Sequence, residues 1–208
     1  MYQNRWEAGE LLAQRLAEYQ FKSVCVLGIP RGGVVVAAPI ARFFKTKLGV
    51  LVTRKVGHPL NDELAIGAVM PDGSAVLDTL TIQTHHIGKD YLERTIATQY
   101  AELRRRMKLY TGSEMPPDVK GKTVIVVDDG IATGYTMKAA VAWLKTLQPE
   151  KIIVAVPVAP PETIAELAKS VDTVVCPQQP ADFMAVGMHY REFPQTSDAE
   201  AIELLHEF

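Results

Sequence analysis

Cysteine is scarce in this chain: its 208 residues include two, Cys25 and Cys176. Each lies in or beside an apolar strand-like run, far from the other, which reads as core packing in a reducing compartment. A disulfide framework or a metal site is disfavoured. Long hydrophobic runs are also absent, and nothing approaches the roughly 20 apolar residues of a membrane span. Charge of one sign is missing. The formal net charge is -2, so no basic field argues for nucleic acid and no acidic tail is present. The opening MYQNRWEAGELLAQRLAEYQ lacks the basic start and apolar core of a secretion signal and reads as an amphipathic helix. Two nucleotide-binding signatures are missing too. There is no G-x-x-x-x-G-K-[ST], and no G-x-G-x-x-G follows a strand. The expectation is a soluble, cytoplasmic protein with neither a nucleic-acid nor a membrane partner.

What is present is an alternating pattern. Apolar-rich runs at 23–29, 48–56, 123–128, 151–158 and 172–176 read as strands. Helical patterns fall at 1–22, 33–45, 136–147, 161–169 and 198–206. Leu92, Ile96, Tyr100, Leu103, Met107 and Tyr110 recur at three- and four-residue spacing, which predicts one long amphipathic helix over 89–110. Pro71-Asp72-Gly73 between two β-rich runs signals a hairpin. Val/Ile strands alternating with helices indicate an α/β fold, a single domain over 1–208 with a mainly parallel central sheet flanked by helices. Residues 79–115 form a helical insertion, suited to covering a site or building a dimer interface.

The chemistry concentrates in VIVVDDGIATGYT, Val124 to Thr136. A buried strand ends in Asp128 and Asp129, and a turn through Gly130, Ile131, Ala132, Thr133, Gly134, Tyr135 and Thr136 opens a helix. In open parallel sheets ligands bind beyond the carboxyl ends of strands. Amides of 132–136 at a helix start offer unpaired N–H groups to a phosphate, with Thr133 and Thr136 adding hydroxyls. Carboxylates would repel phosphate, so Asp128 and Asp129 must serve another part of the ligand. A sugar diol fits, and so does a nearby Mg²⁺, which prefers oxygen ligands and can be held directly or through water. Together these imply a ribose 5-phosphate.

This run resembles the phosphoribosyl pyrophosphate (PRPP) signature of the type I phosphoribosyltransferases: apolar strand, two acids, then T-G-x-T. The resemblance covers most of residues 20–177. It implies transfer of a 5-phosphoribosyl group from PRPP to a nitrogen nucleophile, expected to be a nucleobase, with Mg²⁺ as cofactor and pyrophosphate released. A homodimer or higher homo-oligomer is expected. Asp128 and Asp129 would fix the ribose. Arg31, Gly32 and Gly33 match the family's pyrophosphate turn, which often has an unusual backbone conformation. Arg54 and Lys55 in VTRKVGHP match its R-K-x-G-x-x-P stretch. Adjacent strand residues point to opposite faces, so one of that pair should reach the site. Arg31, Lys55, Asp128 and Asp129 are the catalytic candidates, and no side chain stands out as a general base. His58 and the 57–62 segment could form a lid or an ordinary turn.

The pattern departs from the family in two places. Members acting on 6-oxopurines place an aspartate two residues before the turn glycine, where this chain has Ala132. The C-terminal stretch 177–208 resembles a base-binding hood, with Phe183 stacking on a base and Met184 to Val186 reading its edge, yet its spacing differs by one residue. Packing of Phe183 and Val186 onto the sheet is an equal reading. His85-His86 cannot converge on one helix face and is discounted as a metal site. Arg104-Arg105-Arg106 lies near Glu102 and Glu114 and reads as a solvated helix face. Two rival functions stand beside the enzyme: a non-catalytic PRPP-sensing regulator of the same fold, and a magnesium phosphohydrolase using Asp128.

Overall fold

The computed structural model describes residues 1–19 and 23–208, with all side chains there except those of Asp62 and Glu63. Residues 20–22, the end of the expected N-terminal helix, lie outside the described residues. The central sheet holds five parallel strands: β1 (Val24–Gly28), β2 (Leu48–Val50), β6 (Thr123–Val127), β7 (Lys151–Ala155) and β8 (Thr173–Val175). Their order is β2-β1-β6-β7-β8. The chain leaves β1 toward one edge and β6 toward the other. The junction of these two neighbours is therefore the topological switch point, where a crevice opens beyond the strand ends.

Alternation along the strands builds two cores. Ile125 and Val127 of β6 face one side, with α1 (Arg5–Arg15), α2 (Gly32–Phe44), α4 (Lys89–Thr111) and α7 (Asp198–His206). Val124 and Val126 face the other, with α5 (Tyr135–Thr146) and α6 (Pro161–Leu167). Every residue of β6 is buried. Each fully covered aliphatic side chain contributes about 1.5–3 kcal/mol relative to exposure, so a strand with none facing water belongs in mid-sheet.

The expected single strand over 48–56 is two strands in different sheets. β2 ends at Val50, Leu51 and Val52 are both buried, and β3 (Arg54–His58) starts a second, antiparallel sheet. Its order is β3-β4-β5, with β4 at Asn61–Val69 and β5 at Ala75–Leu77. No proline or turn pair within 48–56 marks the point where the chain leaves one sheet edge for another. The hairpin at Pro71–Gly73 is present, joining β4 to β5 through Gly73 at φ 85. The 57–62 segment turns β3 into β4, with the Leu60 amide donating to His58 Nδ1 at 3.1 Å. In the insertion, the long helix runs to Thr111 and is preceded by α3 (Thr79–Thr84). Both cysteines are free thiols. Among the described residues no helix is long and apolar enough to cross a membrane.

α1 meets α2 at Gly9, where a Cβ would stand 2.3 Å from the Val36 carbonyl oxygen. That close approach sets the first turn of α1 beside the switch point.

Candidate active site

Two strand ends form the floor. β1 and β6 pair with Gly28 opposite Val127, so the loops after them emerge side by side. The first loop reaches Arg31 across a cis Pro30–Arg31 peptide and opens α2. The second carries Asp128 and Asp129 and opens α5. Gly32 and Gly33 make this adjacency possible. A Cβ on Gly32 would lie 1.9 Å from Asp129 Oδ2, and one on Gly33 would lie 2.7 Å from the Val127 carbonyl oxygen and 2.9 Å from Asp128 Cα. The double glycine therefore makes room for the two acids.

The turn after the acids leaves a series of donors. Gly134, at φ 76, caps α5. Among the described residues, the amides of Ala132, Thr133, Gly134, Tyr135 and Thr136 have no intrachain acceptor. Such groups at a helix start attract an anion. The Ile131 amide does not belong with them. It donates to the Val158 carbonyl at 3.0 Å and Ile131 is buried, so this residue is structural. The Thr163 hydroxyl donates to the Ala132 carbonyl at 2.8 Å and anchors the turn to α6.

The acids differ in their partners. The Asp129 amide donates to Asp128 Oδ1 at 2.9 Å. Burial first, and then the neighbouring Asp129 charge, holds the Asp128 carboxyl well above the usual carboxylate range. Burial also raises Asp129, but Arg5 opposes this, its Nε–H donating to Asp129 Oδ2 at 2.7 Å. The Tyr190 hydroxyl donates to the Asp129 carbonyl at 2.5 Å. Burial and the Asp129 charge push that phenol well above its ordinary pKa.

A cleft of about 620 Å³ opens over this floor, and Arg31, Gly32, Lys55, Asp128, Asp129 and Thr136 all line it. Arg54 does not. Its guanidinium donates to Gln99 Oε1 at 2.9 Å, on the face away from the cleft, so the strand alternation sends Lys55 inward. Ala132, Thr133 and Tyr135 are exposed. The hood candidates also fall outside the cleft. Phe183 stacks on His189 at 5.5 Å, Val186 packs over Gly130, and Met184 is 79% exposed. Packing accounts for Phe183 and Val186. The C-terminal wall of the cleft is instead Phe193, Gln195 and Thr196.

Residues 4–192 match the phosphoribosyl transferase domain family. The chain belongs to that family. A Mycobacterium tuberculosis protein bearing the provisional name phosphoribosyl transferase is 41% identical over 205 residues. The match takes in 99% of this chain and 46% of that protein, so the chain spans about half the length of the curated relatives it matches. Among solved structures, the protein TT1426 from Thermus thermophilus is 40% identical with a TM-score of 0.86, over 100% of this chain and 98% of that one. A purine phosphoribosyltransferase from Pyrococcus horikoshii, 19% identical with a TM-score of 0.50, covers 91% of this chain and 90% of its own, and shares the fold.

Within this phosphoribosyl transferase domain, two cleft cations were not singled out by sequence. Arg5 stands 124 residues before Asp129, on a helix whose pattern speaks only of packing. Arg106 belongs only in part to the solvated face that the 104–106 charge run suggests. Arg104 does pair with Glu114, and Arg105 with Glu102. Arg106, also bonded to Glu102 at 2.9 Å, lines the cleft as well. Helical phase was the available signal: Arg106 lies one position from the buried Met107, at the edge of the apolar stripe.

Proposed function

We propose that this domain transfers a 5-phosphoribosyl group from PRPP to a nitrogen nucleophile, a nucleobase by preference, and releases pyrophosphate. One observation carries the reading: the acids Asp128 and Asp129, the cations Arg31 and Lys55, and Thr136 at the end of the turn with unpaired amides line one cleft at the sheet's switch point. Each group suits a different part of the same molecule. The turn takes the 5-phosphate as a remote handle for orientation, and the carboxylates accept from the ribose hydroxyls. Arg31 and Lys55 face the pyrophosphate. In the reaction the bond from the anomeric carbon to pyrophosphate oxygen breaks, a carbon–nitrogen bond forms, and the acceptor nitrogen loses its proton. Negative charge grows on the departing pyrophosphate, where fixed cations stabilise it more than they stabilise the ground state.

Magnesium fits the donor set. Asp128 and Asp129 offer carboxylate oxygens, and Asp128 has no ion-pair partner among the described residues. No three His, Cys, Asp or Glu side chains converge among those residues, so the ion would complete its shell with PRPP oxygens and water. When bound, it would supply positive charge beside the leaving group.

Incubation with PRPP, Mg²⁺ and a panel of bases, following pyrophosphate release, tests the proposal. Asp128→Asn combined with Asp129→Asn should abolish release while the protein still melts cooperatively. Release at the parent rate would refute the ribose assignment. PRPP binding with no turnover on any acceptor would favour the regulatory reading.

A further inference from the structure

Arg5 is an unusual residue to find at the first position of a helix. A cation there opposes the helix dipole, and this one is only 8% exposed. Asn4 fixes the start of α1, its side chain accepting from the Glu7 amide at 3.0 Å. From that fixed point the guanidinium reaches three separate segments. Its Nε–H donates to Asp129 Oδ2 at 2.7 Å, and its Nη1 donates to the Pro194 carbonyl at 2.7 Å. Its carbon lies 3.6 Å from the centre of the Phe193 ring. It also lies directly against the pyrophosphate turn, since a Cβ on Gly32 would come within 2.8 Å of Nε.

We propose that Arg5 is the positioning residue for the ribose grip: it holds Asp129 in the one orientation that leaves Oδ1 free to accept from a sugar hydroxyl. The proposal rests on the PRPP reading above and assigns a role that the motif itself does not contain. Two adjacent carboxylates on one turn repel each other and have no reason to hold a common geometry. A planar guanidinium, gripped by a carbonyl and an aromatic face, has little freedom of its own and passes that rigidity on through Nε. Oδ2 is committed to Arg5, and no donor of another residue bonds Oδ1 among the described residues. Arg5 acts through Asp129 and so affects the sugar rather than the diphosphate.

Calorimetric titrations in Mg²⁺ buffer with three ligands separate this role from a purely structural one. The ligands are PRPP, ribose 5-phosphate and inorganic pyrophosphate, and the proteins are the parent chain, Arg5→Met and Arg5→Lys. Loss of a hydrogen bond to a charged group corresponds to roughly a 10- to 100-fold weakening. Arg5→Met should show that loss for PRPP and ribose 5-phosphate and stay within about twofold for pyrophosphate. Arg5→Lys keeps the charge without the fork and should recover part of the loss. Should the Met protein not fold, the lysine protein's own pattern decides, with weakened sugar ligands and unchanged pyrophosphate expected. Equal weakening of all three ligands, weakening of pyrophosphate alone, or no change overturns the role. A parent chain that binds no PRPP overturns the donor reading and this inference with it.

Discussion

Replacing Gly32 by alanine should destabilise the protein through one ion pair, and the size of the effect can be worked out. The added methyl would stand 1.9 Å from Asp129 Oδ2 and 2.8 Å from Arg5 Nε. Both atoms are in side chains, so the backbone of α2 need not move; the carboxylate swings away instead. That movement forfeits the 2.7 Å bond between two groups whose side chains are 10% and 17% exposed. A hydrogen bond to a charged group contributes about 1.5–3 kcal/mol at such a site. For a chain of this length each kcal/mol moves the melting midpoint by roughly 2–4 °C. Gly32→Ala should therefore melt about 3–12 °C below the parent by calorimetry. Gly88→Ala is the matched control, because a Cβ there meets nothing within 4 Å and its φ is -68. Its gain in chain stiffness and its loss at the helix cap offset each other to within roughly 0.5 kcal/mol. If Gly32→Ala melted with the control, the glycine would not be making room for the pair and the account of this turn would be wrong.

Two further outcomes are expected. Lys55→Gln should raise the KM for PRPP by roughly tenfold, the worth of one charged contact, whereas Arg54→Gln should change it by less than about twofold because its partner is Gln99; steady-state kinetics on the pair would expose a swapped assignment. Burial pushes the Cys176 thiol up to about 11 from an ordinary 9.0, so at pH 8 its thiolate fraction, and with it alkylation by iodoacetamide, should be roughly 100-fold below that of the unfolded chain. Mass spectrometry of timed samples checks this, and alkylation at the unfolded rate would contradict the burial.

Much of the frame is legible from residue order. The helix over 198–206 and the strands around 123–127 and 151–155 lie where periodicity puts them, because a buried strand and an amphipathic helix are local patterns. One misread strand and one open alternative share a cause. The run 48–56 carries no proline or turn pair at the break, yet it serves two sheets, and the break at Leu51–Thr53 depends on what packs around it. The hood is similar. Phe183 and Val186 are apolar whether they stack on a ligand or on His189 and Gly130, and their neighbours are set by chain returning from far away.

The order of residues alone determined the alternating α/β frame, the pairing of acids with an amide-bearing turn, and the family these imply. Those features are written in spacings of a few residues, within reach of local sterics and hydrogen bonding. Tertiary structure alone decided which cations face the acids. Arg5 and Arg106 come to the cleft from helices far from the motif, while Arg54, inside a matching stretch, turns away. Coulomb forces and hydrogen bonds act through space, so the partners of a carboxylate depend on how the layers pack.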